Sequence, residues 1–516
     1  MKYPIGIQTF EKIIEGGYVY VDKTDLVYKL VTTGEYYFLS RPRRFGKSLL
    51  TTTLDAYFKG RKELFKGLAI EKLERDWVEY PVFHIDFSAA DYSNPTMVVD
   101  RMNVYLAQWE KQYGKMEEEV SVGDRFYGVV SRAKEITGKK VVILIDEYDK
   151  PLTDTIGMPE VQDKNKATLQ GIYGIMKRAD QYIRFAFLTG VTRYGKLGVF
   201  SAANNPDDIS MEEEYASICG ITEKELHANF DAEVDIFADK LNVSKECMYE
   251  LLKKKYDGYH FCTNSEDVYN PYSLLGSLKS KTLENKWFAT GTPSYLTFML
   301  KRKSYDLSKF SNGVVATAET IASFGNGEEN MVAALYQSGY LTLKNYDGRK
   351  YYTLGFPNEE VEDGFIQCLM NEYSQGNDID GDYNLCLLRD AFEADDVQTF
   401  MAQIQQIMGQ IPFETNEVKQ LEANFRNMLY LMIRFSGFNV FVELPVLGGR
   451  IDVLFETNRR VYVMECKRNH SAAEALAQID MKKYAQKITS KEKPVVKIGV
   501  NFSTEERNIT EWKMEE

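Results

Sequence analysis

Residues 36–50 read Tyr36-Tyr37-Phe38-Leu39-Ser40-Arg41-Pro42-Arg43-Arg44-Phe45-Gly46-Lys47-Ser48-Leu49-Leu50. The first four residues form an apolar, β-prone run, which predicts a buried strand. After Ser48, apolar residues recur at a spacing that predicts a helix: Leu49, Leu50, Leu54 and Phe58. A strand, a tight loop and a helix in this order form the arrangement in which backbone N–H groups at a helix N-terminus bind phosphate.

The loop ends in Gly46-Lys47-Ser48, the last three positions of the phosphate-binding pattern G-x-x-x-x-G-K-[ST]. In that pattern the lysine neutralises the β- and γ-phosphate oxygens, and the serine hydroxyl binds Mg²⁺. Arg41 stands where the first glycine is expected, so the chain must enter the loop through a different turn. A basic surface turn is the alternative, and a second element is needed to choose. The residues predicted to bind the nucleotide in this loop are Arg43, Arg44, Phe45, Gly46, Lys47, Ser48 and Leu49.

The second element is an unbroken apolar run that follows Lys140 and ends in Asp146-Glu147. Such a run is typical of a strand that is buried on both faces of a parallel sheet. The carboxyl ends of parallel strands share one edge of the sheet, which places these acids beside the loop. In phosphate-loop enzymes an aspartate here holds the Mg²⁺ shell and a second residue orients the attacking water, so we assign these roles to Asp146 and Glu147. The alternative is a core strand with two solvated acids at its end.

The next apolar run, residues 184–193, ends in polar residues at the same predicted edge. We predict that Thr189 senses the γ-phosphate and that Arg193 stabilises the charge that develops in the transition state. The alternative for these residues is a turn with a surface arginine.

Three segments together resemble the bacterial AAA-ATPase-like family: Tyr20-Val21-Asp22-Lys23-Thr24, Arg41-Pro42-Arg43-Arg44-Phe45-Gly46-Lys47-Ser48 and Ile145-Asp146-Glu147-Tyr148-Asp149. In that family the first glycine of the loop is usually missing, so the resemblance implies that Arg41 does not mark an inactive loop. It also implies an ATPase that is commonly joined to a C-terminal nuclease-fold domain. Arg43 and Arg44 then either add positive charge near the phosphates or pair with nearby acids.

Apolar residues at helical spacing between Glu223 and Leu283 predict a helical lid over the nucleotide, with plain helix packing as the alternative. A helix at Met331–Ser338 and a hairpin turn at Asp347-Gly348 suggest a winged-helix module. The sequence does not choose between a DNA-binding and a packing role for this module. Residues 374–382 are polar and glycine-rich, which predicts a linker. We therefore predict domains at 1–220, 221–373 and 385–516.

The C-terminal part places Asp452 in one predicted strand and Glu465-Cys466-Lys467 in the next. Alternation puts Glu465 and Lys467 on one face, and the hairpin brings Asp452 alongside. Two carboxylates are costly to bury without a partner, and Mg²⁺ held by Asp452, Glu465 and the Cys466 carbonyl satisfies them. The metal activates water, which Lys467 orients. The alternative is an exposed, salt-bridged hairpin.

This pattern resembles the PD-(D/E)XK nuclease superfamily, with Gly449-Arg450-Ile451-Asp452-Val453 as its first half and Ile451 in place of the proline. The resemblance implies a metal-dependent phosphodiesterase with Asp452, Glu465 and Lys467 as catalytic residues. It also implies auxiliary roles for Glu422 on the preceding helix and Gln478 on the following one. A nuclease fold that has lost its activity is a further alternative.

Composition excludes several other classes of protein. A net charge of −13 disfavours a protein that coats nucleic acid through its overall charge, although a local basic groove remains compatible with it. The six cysteines form no C-x-x-C pair and the four histidines lie far apart, which argues against a disulfide scaffold or a zinc site. No apolar run approaches the ~20 residues of a membrane span, and no signal peptide precedes the first strand, so we predict a cytoplasmic location.

The sequence thus predicts an α/β protein: a P-loop ATPase with a parallel sheet, a helical and winged-helix middle region, and a C-terminal restriction-endonuclease-like domain. Its predicted function is ATP hydrolysis coupled to Mg²⁺-dependent cleavage of nucleic acid, with DNA favoured, in genome defence or a mobile element. The alternative function is an ATP-dependent regulatory switch whose C-terminal domain only binds a partner. Assembly into a homo-oligomer is left open.

Overall fold

The computed structural model describes residues 1–193, 206–287, 313–322, 330–374, 378–409, 418–446, 449–484, 488 and 493–516. Within these ranges, only the backbone is described for 370–374, 378–385, 418–424 and 435. The chain divides into two compact units, one with the described residues of Met1–Met299 and Val314–Val361, and one with chiefly those of Glu362–Glu516. The three domains predicted above stay a proposal. Among the described residues, no helix is long and apolar enough to cross a bilayer.

The first unit begins with a parallel sheet flanked by helices. Its described helices are α1 (Phe10–Glu15), α2 (Thr24–Thr33), α3 (Lys47–Phe58), α4 (Ile70–Leu73), α5 (Met97–Tyr113), α6 (Val122–Thr137), α7 (Lys150–Thr153) and α8 (Pro159–Arg178). Its strands are β1 (Tyr36–Ser40), β2 (Val82–Asp86), β3 (Val141–Asp146), β4 (Ile183–Gly190) and β5 (Asp207–Asp208). The order β2-β3-β4-β1-β5 is parallel throughout, and every residue of β3 is buried, as its apolar run predicts. The predicted α/β fold is therefore confirmed.

The same unit continues with helices and two small antiparallel sheets. The helices are α9 (Glu223–Leu241), α10 (Lys245–Tyr256), α11 (Pro271–Ser280), α12 (Ala318–Ala322) and α13 (Met331–Ser338). The strands are β6 (Ile221–Thr222), β7 (Val268–Tyr269), β8 (Val314–Thr317), β9 (Thr342–Tyr346) and β10 (Tyr351–Gly355). Two helices with the sheet β8-β10-β9 give the winged-helix-like arrangement that the hairpin pattern predicts.

Helix α13 packs inward instead of presenting a charged face. It contains no lysine or arginine, and six of its eight residues are buried. The helix ends at Gly339, where an added Cβ would come within 2.5 Å of Pro42 in the phosphate loop. The Trp287 indole packs edge-on against Tyr340 and donates a hydrogen bond to the Arg43 carbonyl at 3.1 Å. The structure therefore favours packing over DNA reading for this helix, since its end supports the loop.

A buried acid at the end of α10 makes the stability of this region depend on pH. Asp257 is 3% exposed, its Oδ1 accepts no hydrogen bond from the described residues, and burial raises its pKa to about 7. The folded state therefore keeps a proton that the unfolded chain loses near pH 4, and stability falls as the pH rises through this window.

We expect Asp257→Asn to remove this loss. As the pH rises from 5 to 8, the free energy of unfolding of this variant should increase by roughly 3 kcal/mol relative to that of the wild type. Urea unfolding at both pH values measures the gain, with Asp239→Asn on the exposed face of α9 as the control. Parallel pH dependence of the Asp257→Asn variant and the wild type would contradict the assignment.

The second unit is built around a mixed sheet. Its helices are α14 (Glu359–Ser374), α15 (Asp378–Ala394), α16 (Val397–Gly409), α17 (Val418–Phe435) and α18 (Ala472–Lys482). Its strands are β11 (Asn439–Val446), β12 (Gly449–Glu456), β13 (Val461–Arg468), β14 (Val495–Ser503) and β15 (Asn508–Glu515), ordered as numbered. Among the strands described in this unit, only β13 and β14 pair in parallel, and α18 crosses over them. At Gly499 a Cβ would lie 2.2 Å from the Ala472 carbonyl, so this glycine permits α18 to lie close on β14.

The predicted linker at 374–382 is in part helical, because α15 begins at Asp378. The first residues of α15 are mostly polar and show no apolar periodicity, so the sequence did not indicate where this helix begins. Leu388 and Phe392, four residues apart, are fully buried and provide that face.

Candidate functional sites

The turn between β1 and α3 has the form of a phosphate-binding loop. Gly46 has a φ of 96° and Arg44 a φ of 68°, both in the left-handed region. Glycine adopts this conformation without a steric cost, whereas the arginine needs supporting contacts. The Arg44 guanidinium lies over the Tyr272 ring, 4.9 Å from its centre, which supplies one such contact. Helix α3 begins at Lys47, so the unpaired N–H groups of its first turn lie at the loop.

A cavity of about 380 Å³ opens at this loop. Six of the seven predicted loop residues line it, namely Arg43, Arg44, Gly46, Lys47, Ser48 and Leu49. Other walls come from α11, through Pro271, Tyr272 and Leu275, and from the N-terminal segment Pro4 to Gln8. The volume falls in the range of small-ligand pockets. The helical region predicted as a lid thus contributes one wall of the cavity.

Lys47 and Glu147 lie together at the base of this cavity. Lys47 is 4% exposed, donates to the Pro42 carbonyl at 3.2 Å and lies 3.7 Å from Glu147 Oε1. Glu147 lines the cavity and has a φ of 53°, an unusual backbone conformation that turns the chain sharply after β3. An ammonium and a carboxylate held at a pocket floor are the groups that neutralise a phosphate and accept a proton from water.

Asp146 completes the acidic side of the loop. Burial raises its pKa to about 7, the charge of Glu147 acts in the same direction, and a hydrogen bond with Ser48 opposes them. A dication bound at these oxygens would favour the ionised carboxylate. The Ser48–Asp146 contact therefore fits the pair that holds Mg²⁺ in phosphate-loop enzymes.

Asp86, at the end of β2, is a neighbour that the sequence reasoning missed. It stands beside Asp146 in the parallel register of β2 and β3, and its Oδ1 accepts a hydrogen bond from the Ser88 N–H. Ser88 also lines the cavity. An acid directly after an alternating strand was the available signal, but only the strand order makes Asp86 and Asp146 neighbours.

Four of the residues predicted to bind the nucleotide do not line the cavity, namely Phe45, Asp146, Thr189 and Arg193. The Thr189 hydroxyl is fully buried and donates to the Leu39 carbonyl at 2.9 Å, because β4 lies beside β1. Arg193 forms an ion pair with Asp208 at 2.7 Å and lines a separate cavity of about 40 Å³. Phe45 is buried, and its ring lies edge-on to the rings of Tyr259 and Phe261. Thr189 and Arg193 do not line the larger cavity among the described residues.

Arg41, in place of the usual glycine, has a structural role. Its guanidinium is 1% exposed and donates to four carbonyl groups, those of Ser40, Ser210, Tyr215 and Ala216. Three of these acceptors follow β5, so this arginine ties the phosphate loop to the edge of the sheet. Burial lowers its pKa, and the carbonyl groups compensate for part of the lost hydration.

We expect Arg41→Gly, which restores the general loop pattern, to destabilise the protein instead of improving it. Removing the guanidinium leaves buried carbonyl groups without a donor, at a cost of about 3–5 kcal/mol. A fall in the midpoint of thermal unfolding measures this cost, and Arg61→Gly on the surface is the control. An unchanged midpoint for Arg41→Gly would show that the four hydrogen bonds contribute little.

In the second unit, β12, β13 and α18 bring the predicted catalytic residues together. Asp452 Oδ2 accepts a hydrogen bond from the Cys466 N–H at 2.8 Å. Glu465 is 2% exposed, and Lys467 Nζ lies 3.7 Å from its Oε1. Gln478 on α18 donates to Glu465 and accepts from Lys467. Gln478 therefore fixes the acid and the cation relative to each other.

The two carboxylates of this cluster have raised pKa values and would be stabilised in their charged form by a bound cation. Burial raises the pKa of Glu465 to about 8, with the Asp452 charge as the next cause, and burial also raises the pKa of Asp452. Glu465 Oε2 is buried and has no hydrogen-bond partner among the described residues. An orphaned carboxylate oxygen beside a second carboxylate fits a hard cation such as Mg²⁺.

Two further metal-site predictions have different outcomes. Burial raises the pKa of the Cys466 thiol, which disfavours the thiolate, and the predicted ligand from this residue stays its backbone carbonyl. Glu422 lies on α17, but its side chain is outside the described residues. No set of three acidic, histidine or cysteine side chains in the described part of the chain is grouped as a metal site. Asp452 and Glu465 stay the two predicted side-chain ligands of the metal.

Sequence reasoning also missed Glu443, which stands opposite Asp452. In the register of β11 and β12, Val442 pairs with Val453 and Leu444 with Ile451. Glu443, between Val442 and Leu444 on β11, has a φ of 54°, which interrupts the pairing of the two strands. Such a neighbour is found only when the register of the hairpin is known.

Comparison with known proteins identifies the families of the two domains. Residues 4–200 match a family described as predicted AAA-ATPase, and residues 420–512 match the PD-(D/E)XK nuclease superfamily. A protein of Azotobacter chroococcum mcd 1, described as an uncharacterized protein in the vnfD 5′ region, is 32% identical over 530 residues. That similarity covers 100% of this chain and 99% of the relative. Both resemblances noted in the sequence are thereby confirmed.

Proposed function

Because this chain belongs to the AAA-ATPase-like family and ends in a domain of the PD-(D/E)XK nuclease superfamily, we propose that it hydrolyses ATP and cleaves nucleic acid. The observation that carries the first half is the cavity at the phosphate loop, which Lys47, Ser48 and Glu147 all line. The observation that carries the second half is the cluster of Asp452, Glu465 and Lys467.

In the proposed ATP site, the N–H groups at the start of α3 bind the phosphates. Lys47 exchanges its contact with Glu147 for the β- and γ-phosphate oxygens, which frees Glu147 to accept a proton from the attacking water. Ser48 and Asp146 hold Mg²⁺, which supplies charge neutralisation at the phosphates when bound. Arg43 and Arg44 line the same cavity and add positive charge beside the phosphates.

In the proposed nuclease site, Asp452, Glu465 and the Cys466 carbonyl hold Mg²⁺, which when bound lowers the pKa of water and stabilises the leaving group. Lys467 donates a hydrogen bond to the nucleophilic water and orients it towards the phosphorus. Gln478 keeps the Lys467 ammonium beside Glu465. We propose DNA as the substrate, and the combination of the two domains supports a setting in genome defence or a mobile element.

The test uses the full-length chain with supercoiled plasmid DNA and a structured RNA as substrates. Each is incubated with Mg²⁺ or EDTA, and with ATP, a non-hydrolysable ATP analogue or no nucleotide. We expect phosphate release from ATP and Mg²⁺-dependent nicking of the plasmid. ATP hydrolysis without cleavage of either substrate in any condition would overturn the nuclease half and favour a regulatory switch whose C-terminal domain binds a partner.

A further inference from the structure

Glu443 lies within β11 but departs from strand geometry. Its φ of 54° interrupts a ladder that is regular on both sides, and a strained position of this kind costs about 1 kcal/mol or more. Such a conformation persists where surrounding contacts impose it. The contacts around this side chain therefore point to what the position does.

Those contacts are two guanidinium groups. Arg426 of α17 donates to one carboxylate oxygen of Glu443, and Arg450 of β12 donates to the other. The Glu443 side chain is 19% exposed, whereas Arg426 is 37% and Arg450 63% exposed. One partly buried carboxylate thus fixes two arginines whose outer sides reach solvent. Glu443, Arg426 and Arg450 together carry a net charge of +1. Arg426 and Arg450 are called the arginine pair below.

The arginine pair lies beside the proposed nuclease site. Arg450 and Asp452 are two residues apart on β12, so alternation along the strand places both side chains on the same face of the sheet. Glu443 stands opposite Asp452 across the hairpin. Both Glu443 and Arg426 act electrostatically on the Asp452 carboxylate. The arginine pair and the proposed metal ligands therefore share one sheet face.

We propose that Arg426 and Arg450, fixed by Glu443, bind backbone phosphates of the nucleic-acid strand next to the phosphate that is cut. The proposal rests on the proposed nuclease function and adds the residues that hold its substrate. A guanidinium presents five N–H donors in a planar fork that matches the oxygens of a phosphodiester. Local positive charge is required here because the chain carries a net charge of −13.

Arginines held by a carboxylate are ordered before the substrate arrives. Less side-chain entropy is lost when they bind phosphate, because each is already confined by its contact with Glu443. A guanidinium has five N–H groups, so one arginine can contact Glu443 and a phosphate at the same time. The contacts involve the backbone of the strand, so they add affinity without reading the base sequence.

The test measures binding apart from cleavage. Fluorescein-labelled single-stranded DNA, duplex DNA and RNA are titrated with the full-length chain in EDTA, and anisotropy is recorded over a series of salt concentrations. We expect Arg450→Gln and Arg426→Gln each to weaken binding of the preferred strand about tenfold. We also expect each to reduce the slope of log K against log salt by about one.

The matched control is Arg460→Gln, which removes another arginine that pairs with a glutamate at the surface of the same unit. We expect this variant to bind like the wild type. Because the Arg450 side chain is the more exposed of the pair, Arg450→Gln tests the proposal even where Arg426→Gln lowers the melting temperature. Wild-type affinity and wild-type salt slope for Arg450→Gln would overturn the proposal, as would a wild type that binds none of the three strands.

A cleavage assay separates this proposal from the proposed function. In Mg²⁺, Arg450→Gln should raise KM about tenfold and leave kcat nearly unchanged, because the arginine binds a neighbouring phosphate and not the reacting one. A wild type that binds nucleic acid without cutting it would contradict the nuclease function, while the loss of affinity in the variants would still support the arginine pair. Cleavage by the wild type, with an unchanged KM in the variants, would support the nuclease function and contradict the role of the arginine pair.

Discussion

Lys47→Ala is expected to lower the rate of ATP hydrolysis by about 100-fold or more. Lys47 is the cation at the floor of the cavity, within 3.7 Å of Glu147 and at the first position of α3. Removing a charged donor aimed at the charge that develops in a transition state costs about two to three orders of magnitude in rate. Steady-state release of phosphate from ATP by the purified variant measures the effect.

Lys59→Ala is the matched control for this prediction. Lys59 follows the other end of α3 and pairs with Asp55 at the surface, so it shares the helix but not the cavity. Its substitution should leave ATP hydrolysis unchanged. Turnover of Lys47→Ala at the wild-type rate would remove the ATPase assignment, whereas slow turnover with normal nucleotide binding would place the effect in the chemical step.

Glu465→Gln is expected to reduce cleavage of nucleic acid by about 100-fold or more while the protein stays folded. The substitution keeps the shape of the side chain and an oxygen that can accept from Gln478. It removes the negative charge, which holds Mg²⁺ in the proposed site. Loss of a charged ligand at a reacting centre is worth at least the two orders of magnitude seen for a single donor.

The pKa of Glu465 sharpens this prediction. Since the pKa is raised to about 8, the metal-free protein already carries an uncharged side chain here near neutral pH. Glutamine imitates that state, so the melting temperature in EDTA at pH 7 should equal or exceed that of the wild type. Glu474→Gln, an exposed acid on α18, is the control and should cleave normally. Full cleavage by Glu465→Gln would contradict its role as a ligand.

Local sequence was sufficient for the elements that carry the two sites. The β1–loop–α3 unit, the buried strand β3 and the Glu465-Cys466-Lys467 strand each follow from a periodicity or a motif within about ten residues. Their side chains then meet because parallel strands share an edge and hairpin strands share a face. The structure accordingly groups Lys47 with Glu147, and Asp452 with Cys466 and Glu465.

Long-range packing set the positions that the sequence could not predict. Arg193 follows its strand as expected, but its partner Asp208 belongs to β5, whose place beside β1 has no local signal. Arg41 bonds with carbonyl groups that lie some 170 residues further along the chain. Glu443 meets Asp452 only through the register of a hairpin. In each case the partner is fixed by topology and not by neighbours in sequence.

The central claim is that the C-terminal cluster holds a metal and cuts a phosphodiester. The most direct measurement compares nicking of supercoiled plasmid by the wild type and by Lys467→Ala, each in Mg²⁺ and in EDTA, with ATP present. We predict that the wild type nicks the plasmid in Mg²⁺ but not in EDTA, and that Lys467→Ala does not nick it in either. Equal nicking by both proteins, or intact plasmid with the wild type in Mg²⁺, would contradict it.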